Sequence, residues 1–187
     1  PTTDNAHPHF SGERIALVHN GIIENYLPLR EELKARGYTF SSQTDTEVIA
    51  HLIDANYQGD LLQAVQLAVA RLKGSFAIAV ICNDDPQRLI GARQGSPLVI
   101  GLGQGENFLA SDALALAGTT DKIIYLEEGD IADIKLNEYT IYNQQGQKID
   151  RPIRTVNIFA GVSDLGPYRH FMQKEIFEQP RAIADTL

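Results

Sequence analysis

The spacing of hydrophobic positions changes part-way along the chain. Between Gly21 and Gly37 the apolar residues recur at helical spacing, and the same spacing returns over 44–53 and 60–74. From residue 75 to residue 143 the apolar residues stand instead in short runs separated by turn sequences. Helices that come early and strands that come later, without regular alternation, favour a layered α+β domain over a doubly wound parallel sheet.

Capping and breaking residues indicate the limits of the helices. Pro28 falls inside the first helical pattern, so we expect it to kink that helix or to mark its true start. The other predicted limits are Gly37 as the end of the first helix, Thr44 and Glu47 as a capping box for the second, and Asp60 and Gly74 as the cap and the end of the third.

Short β-rich runs predict the strands. Residues 14–18 form an apolar run before the first helix, and G-L-G-Q-G at 101–105 lies between two strand-like runs, which favours a hairpin turn. A last helix is predicted from YRHFMQKEIFEQP at 168–180. The further strand-like runs are SFAIAVIC, RLIGAR, PLVIGLG, NFLASD, KIIYLE, IADIKL and YTIYN.

Composition limits the classes of function. The 187 residues with 43% hydrophobic content suffice for one sizeable domain, and the formal net charge of −8 argues against a nucleic-acid partner. No apolar run approaches the roughly 20 residues of a membrane-spanning helix, so we expect no membrane partner. The single Cys82 excludes an internal disulfide framework and fits a reducing compartment, and we expect a cytoplasmic location.

Asn20 and Gly21 lie where the first strand is expected to give way to the first helix. Free N–H groups and the positive end of a helix dipole favour an anion there, so the Asn amide and the Gly N–H are able to hold a developing oxyanion. A plain Asn-Gly turn explains the same two residues. Asp45 precedes the second helix, where it is either a helix cap or a carboxylate for a ligand. The residues alone leave both alternatives open.

The remaining candidates give weaker signals. His7 and His9 flank Pro8 in a loop-like segment, and two histidines in a loop suit the roles of ligands or catalytic groups. A metal site is disfavoured, because no third ligand lies nearby in the sequence. Cys82 ends a strand-like run, which favours a buried, unreactive thiol over a nucleophile. The chain shows no nucleophile elbow, phosphate loop or metal-ligand cluster, so we expect no cofactor and no metal.

Several segments form long motifs: NAHPHF, LVHNGIIENYLPLREELKARGYTFSSQTDTEVIAHLI, ARQGSPLVIGLGQGENFLASD, YLEEGDIA and YRHFMQKEIFEQP. Together they resemble the N-terminal glutaminase domains of the glutamine–fructose-6-phosphate aminotransferase (isomerizing) family, also called glucosamine-6-phosphate synthases. The resemblance implies that 1–187 is a type 2 glutamine amidotransferase domain with the four-layer αββα fold of N-terminal-nucleophile hydrolases. It also implies hydrolysis of glutamine to glutamate and ammonia, for amination of fructose 6-phosphate to glucosamine 6-phosphate.

Matching positions carry the family's site residues over to this chain. Asn20 and Gly21 match the oxyanion-hole pair, and Asp45 matches the carboxylate that holds the α-ammonium group of glutamine. The Gly21 carbonyl would be a second acceptor for that ammonium. His7 matches a histidine near the glutamine pocket. Ser111 and Asp112 match a core strand and receive no chemical role. The resemblance further implies a sugar isomerase domain in the same polypeptide, and we expect a homo-oligomer for the full-length enzyme.

The chain departs from the family pattern in one respect. The family's nucleophile is a cysteine at the first position, its α-amino group is the base, and an Arg-Trp-x-Thr-His-Gly loop binds the substrate carboxylate. None of these occurs in 1–187, so we expect the domain to be truncated at its N-terminus, the isomerase domains after residue 187 to be absent, and the chain as given to be inactive. Two alternatives stay open: the glutaminase domain of another amidotransferase, and a non-catalytic ligand-binding or regulatory module with the same fold.

Overall fold

A computed structural model describes residues 2–156 and 165–186 of the chain. The chain divides into two compact units, Pro1–Val156 and Asn157–Leu187, and each is described by itself. The helices of the first unit are α1 Tyr26–Ala35, α2 Thr46–Asn56 and α3 Leu61–Val69. Its strands are β1 His9–Ser11, β2 Ile15–Ile23, β3 Gly74–Cys82, β4 Asp85–Gln94, β5 Val99–Leu102, β6 Asn107–Ala110, β7 Lys122–Tyr125, β8 Ile131–Ile134, β9 Tyr139–Tyr142, β10 Lys148–Ile149 and β11 Ile153–Thr155.

Two antiparallel sheets and a layer of helices build the first unit. The large sheet has the strand order β1-β2-β3-β4-β8-β9-β10, and the small sheet has the order β11-β7-β5-β6. The helices α1, α2 and α3 pack on one face of the large sheet, and the small sheet packs on the other face. The α+β class is confirmed, and this unit supplies an α layer and two β layers of the expected αββα arrangement.

Each interface between layers has its own apolar core. On the helical side, Ile49 of α2 and Leu61 of α3 are buried against Ile78 and Ile90 of the large sheet. Between the sheets, a second buried cluster joins Ile100, Ile124, Ala77, Ala132 and Ile141. The large sheet is therefore buried on both faces along its centre, which explains why its central strands read as nearly continuous apolar runs.

The strand-like runs between residues 75 and 143 are confirmed. The hairpin predicted at 101–105 is also present, but its turn spans 103–106, because Gly101 and Leu102 belong to β5; the Gly103 N–H donates to the Glu106 carbonyl at 2.9 Å. The Asp60 cap is also confirmed, since its carboxylate accepts from the Leu62 N–H at 3.0 Å. Ser111 and Asp112 do not lie on a strand. They follow β6, and the Asp112 carboxylate caps a short 3₁₀ turn through the Leu114 N–H.

The first predicted helix was placed too early in the chain. Ile22 and Ile23 continue β2, whose pairing with β3 runs through Ile23, and α1 begins only at Tyr26. Pro28 therefore lies in the first turn of α1, where its missing N–H has no intrahelical partner to lose. Gly74 does not follow the third helix directly, because α3 ends at Val69 and Gly74 opens β3.

The helix expected near the end of the chain is confirmed in the second unit as α4, Phe171–Thr186. It starts inside the motif YRHFMQKEIFEQP and continues past Pro180. Among the described residues, no helix combines the length and the apolar character that crossing a membrane requires.

A buried ion pair joins the start of β8 to the segment before β11. The Asp130 side chain is fully buried and accepts from the Arg151 Nε at 2.9 Å, from the Arg151 Nη2 at 3.0 Å and from the Glu127 N–H at 2.7 Å. Loss of the guanidinium would leave the carboxylate without its charge partner in a place that water does not reach.

Arg151→Ala should therefore lower the free energy of unfolding by about 3 kcal/mol. Lys122→Ala, which removes an exposed cation from β7, is the control and should change it by less than about 0.5 kcal/mol. Chemical denaturation of both variants measures the two values. Equal stability of the two variants would show that the buried pair contributes no more than a surface charge.

Candidate functional site

Asn20 and His7 line one cavity of about 200 Å³ between the two sheets. Val18 and Asn20 alternate along β2 and face this cavity, and Leu98 and Leu109 close it from the side of the small sheet. The structure thus brings together two of the predicted site residues that lie 13 positions apart in the sequence. A larger cavity of about 420 Å³ near Gln66 and Gln144 contains none of the predicted site residues.

The surroundings of Asn20 and Gly21 differ from both sequence interpretations. The two residues lie inside β2, opposite Ala77 and Phe76 of β3, so they form neither a turn nor the start of a helix. The helix-dipole argument for an anion at this place is wrong, because α1 begins at Tyr26. What the strand provides is an exposed Asn amide beside a glycine.

Gly21 has a backbone that only glycine fits. Its φ of +139° is rare for residues with a side chain, and a Cβ would overlap the carbonyl oxygen of Ser75 on β3. The close approach of β2 and β3 therefore requires glycine here on two independent grounds. This requirement holds the backbone of residues 20–21 close to β3.

Asp45 takes the N-cap position of α2 without capping the helix through its side chain. Its side chain makes no capping bond to α2, and its Oδ2 atom instead accepts from the Ile23 N–H at 2.7 Å. The carboxylate is half-buried and joins the end of β2 to the start of α2. Among the described residues no hydrogen bond reaches its Oδ1 atom, so one carboxylate oxygen is available to a ligand. The structure places this oxygen near the strand that carries Asn20 and Gly21.

His19, the neighbour of Asn20 on β2, received no site role from the sequence. Because neighbouring side chains of a strand point to opposite faces, His19 faces α2, where its Nδ1 atom lies 3.0 Å from the Thr46 hydroxyl. Its buried Nε2 atom has no hydrogen-bond partner among the described residues. Burial lowers the pKa of His19, against the opposing effect of Asp45. The ring is therefore neutral near pH 7, and it holds β2 against the helix that follows Asp45.

Two further histidines are buried between β1 and α2. The His9 Nε2 atom lies 3.3 Å from the Thr44 hydroxyl, and burial lowers the pKa of His9. The His51 Nδ1 atom lies 2.8 Å from the Ser11 hydroxyl, its Nε2 atom lies 3.2 Å from the Thr39 carbonyl, and burial lowers its pKa as well. A neutral His51 that donates through Nε2 and accepts through Nδ1 satisfies both contacts.

Cys82 lies at the end of β3 with 1% of its surface exposed, which confirms the expected buried thiol. No group of three or more histidine, cysteine, aspartate or glutamate side chains is arranged to hold a metal ion within residues 2–156 and 165–186. The chemistry that these residues offer is hydrogen bonding from Asn20 and Gly21 and a negative charge on Asp45.

A family model described as a glutamine amidotransferase domain matches residues 2–118. The chain belongs to this family. Relatives named glutamine–fructose-6-phosphate aminotransferase [isomerizing] align with the whole chain, at 65% identity over 192 residues in Bordetella pertussis and 55% identity over 188 residues in Aquifex aeolicus. The chain spans 32% of the length of each of these two relatives, so this glutamine amidotransferase domain is about a third of such proteins.

Solved structures agree with the family at the level of the fold. Glutamine phosphoribosylpyrophosphate amidotransferase from Bacillus subtilis, complexed with ADP and GMP, superposes with a TM-score of 0.66 and 26% identity, over 79% of this chain and 33% of that one. A glutamine aminotransferase class-II domain protein from Silicibacter pomeroyi superposes with a TM-score of 0.54 and 21% identity, over 83% of this chain and 72% of that one. The N-terminal-nucleophile hydrolase fold of the amidotransferase domain is confirmed.

The buried histidines make the stability of the amidotransferase domain depend on pH. The folded state lowers the pKa of His9, His19 and His51 below their ordinary value of 6.5, so the unfolded chain binds more protons below that pH. The free energy of unfolding should therefore fall as the pH falls from about 7.5 to about 5.5. Carboxylates contribute little in this range, because their ordinary value of 4.5 lies below it.

Denaturant titrations at several pH values measure this dependence. His51→Gln keeps an acceptor for Ser11 and a donor for Thr39 but removes one titrating ring, so its free energy of unfolding should fall less steeply over the same range. A stability that does not change between these pH values would contradict the neutral, buried state of the three rings.

Proposed function

We propose that this chain is the glutaminase part of a glutamine–fructose-6-phosphate aminotransferase. It hydrolyses glutamine to glutamate and ammonia, and the ammonia aminates fructose 6-phosphate to glucosamine 6-phosphate on a sugar isomerase domain of the same polypeptide. The observation that carries the proposal is the placement of Asn20, Gly21 and Asp45 around one end of β2, with His7 on the same cavity as Asn20. The identity to relatives of that name supports it.

Asn20 and Gly21 stabilise the tetrahedral intermediate in this proposal. When a thiolate attacks the side-chain carbonyl of glutamine, the carbonyl oxygen becomes an oxyanion, and the Asn20 amide and the Gly21 N–H donate hydrogen bonds to it. The intermediate then collapses to a thioester as ammonia leaves with the proton from the base, and water hydrolyses the thioester to glutamate. The pairing of β2 with β3 supports this role, because it holds the backbone that carries both donors.

Asp45 and His7 recognise the substrate in this proposal. The free Oδ1 atom of Asp45 accepts a charge-assisted hydrogen bond from the α-ammonium group of glutamine, and the Gly21 carbonyl is a second acceptor. His7 lies on the cavity that holds the amide end of the substrate. The nucleophilic cysteine and base that the resemblance implies are not among residues 1–187, and we propose that these residues act on glutamine only as part of the full-length protein. In the full-length protein we propose a cytoplasmic homo-oligomer.

Asn20→Ala in the full-length protein should lower kcat for glutamate release about 100-fold, with little change in KM, because the hydrogen bond forms chiefly in the transition state. Asn137→Ala, which removes an exposed amide from the turn between β8 and β9, is the matched control and should leave kcat unchanged. Steady-state glutamate release measures both. Near-normal turnover of the Asn20 variant would remove the oxyanion role.

Asp45→Asn in the full-length protein should raise KM for glutamine about 10- to 100-fold, since the lost charge acts in the ground state and the transition state alike. The control is Asp121→Asn, which neutralises an exposed carboxylate before β7. The same glutamate assay separates the two constants. A fall in kcat at constant KM would show that Asp45 does not bind the ammonium group. A wild-type protein that binds glutamine and releases no glutamate would favour the non-catalytic module.

A further inference from the structure

The segment that leads into α2 carries Asp45 on a loop without regular secondary structure. Residues 38–45 lie between the end of α1 and the first turn of α2, and no strand pairs with them. A carboxylate that must meet an ammonium group at hydrogen-bond distance needs a fixed backbone. The loop therefore has to be held by side-chain contacts.

The Glu47 carboxylate provides the largest set of these contacts. Its Oε1 atom accepts from the Ser41 N–H at 2.8 Å and from the Ser41 hydroxyl at 2.9 Å. Its Oε2 atom accepts from the Ser42 N–H at 2.7 Å and from the Ser42 hydroxyl at 2.6 Å. Four donors thus converge on one side chain that is 3% exposed. The expected capping box is only half formed, because Glu47 binds the loop and not the Thr44 N–H.

The carboxylate is ionised in this setting. Burial by itself would raise the pKa of Glu47, but the hydrogen bonds from Ser42 and Ser41 outweigh burial, and the pKa lies below the ordinary value of 4.5. Both Glu47 oxygens accept, so a proton on either one would replace an acceptor by a donor. The His51 Nε2 atom lies 3.6 Å from Oε1 and adds a second polar neighbour on the helical side.

Hydrogen bonds continue from Glu47 to Thr44, the residue before Asp45. The Ser42 hydroxyl lies 2.9 Å from the Thr44 hydroxyl, which accepts from the Glu47 N–H at 3.3 Å and lies 3.3 Å from His9 Nε2. On the other side of Asp45, the Thr46 hydroxyl contacts His19. The backbone is thus held both before and after Asp45. Glu47 holds the loop that precedes Asp45.

We propose that Glu47 is a positioning residue for Asp45: its carboxylate gathers the Ser41–Ser42 segment, and so sets the place at which Asp45 meets the ammonium group of the substrate. This inference rests on the proposed function, since it gives Asp45 its role as the ammonium ligand. Glu47 itself is buried under the loop and touches no substrate.

Glu47→Gln tests the inference because the amide cannot satisfy all four donors. One carboxylate oxygen becomes an NH₂ group, which faces an N–H and a hydroxyl of one serine, and the loop must shift to relieve this contact. In the full-length protein KM for glutamine should rise about tenfold, because the displaced Asp45 binds the ammonium less well. The value of kcat should stay within about twofold, because Asn20 and Gly21 are held by β3 and not by the loop.

Asp130→Asn is the matched control. Asp130 is also a fully buried carboxylate that accepts from a backbone N–H and from side-chain donors, but it lies before β8 and has no contact with the loop. Both variants should unfold at lower temperature than the wild type, which thermal denaturation measures. Only Glu47→Gln should change KM, whereas Asp130→Asn should leave KM within about twofold, since distant sites act independently.

Ser42→Ala is a milder variant for the case that Glu47→Gln does not fold. It removes the hydroxyl that joins Glu47 to Thr44 and keeps both backbone bonds to the carboxylate, so KM should rise less than tenfold at unchanged kcat.

The outcomes separate the two proposals. The positioning role is overturned if KM is unchanged in Glu47→Gln, or in Ser42→Ala where Glu47→Gln does not fold. The glutaminase function still stands in that case, provided that the wild type is normally active. An equal rise of KM in Asp130→Asn also overturns it, because general destabilisation then explains the effect. A wild-type protein without glutamate release overturns the proposed function and the inference together.

Discussion

The pairing of β2 with β3 over nine residues is the constraint on which the site depends. One face of β2 buries Ile15, Leu17 and His19 against the helices, and the other turns Asn20 to the cavity. Because side chains alternate along a strand, a shift of one residue would turn Asn20 into the core and His19 to the cavity. After such a shift, a residue with a side chain would take the place of Gly21, and its Cβ would overlap the Ser75 carbonyl oxygen. Glycine at position 21 therefore fixes the register. Sheet register thus decides which group faces the cavity.

A second set of contacts holds α2 to the sheet through polar atoms, in addition to the apolar packing of its buried face. Asp45 binds the backbone of Ile23, Thr46 binds His19, and His51 binds Ser11 of β1. Each contact joins the start or the middle of α2 to a strand that reaches the site. Buried polar groups are directional, so they fix relative positions more narrowly than apolar contacts do. The first turn of α2 and the end of β2 therefore behave as one rigid frame.

The sequence predicted the fold where its pattern was local. The strands from residue 75 onward and the Asp60 cap followed from alternation, turn residues and one side-chain contact two positions away. The secondary-structure prediction failed between residues 19 and 25, because Ile22 and Ile23 fit a helical pattern that continues into α1. These two residues are extended only because they pair with β3, which is distant in the sequence. The hydrogen bonds of Asp45 with Ile23 and of Glu47 with Ser42 could not be predicted from hydrophobic periodicity either, because they too depend on the tertiary structure. The candidate residues came from their positions at expected element ends, their roles came from long motifs, and the structure changed their surroundings.

The protonation states of the neighbouring histidines determine the net charge around Asp45. His9 and His19 lie close enough to Asp45 to feel its charge, yet burial lowers the pKa of both rings. Protonated rings would neutralise the carboxylate and compete with a cationic ligand, whereas neutral rings leave it one unopposed negative charge. The hydrogen bond from the Ile23 N–H orients this carboxylate without cancelling its charge.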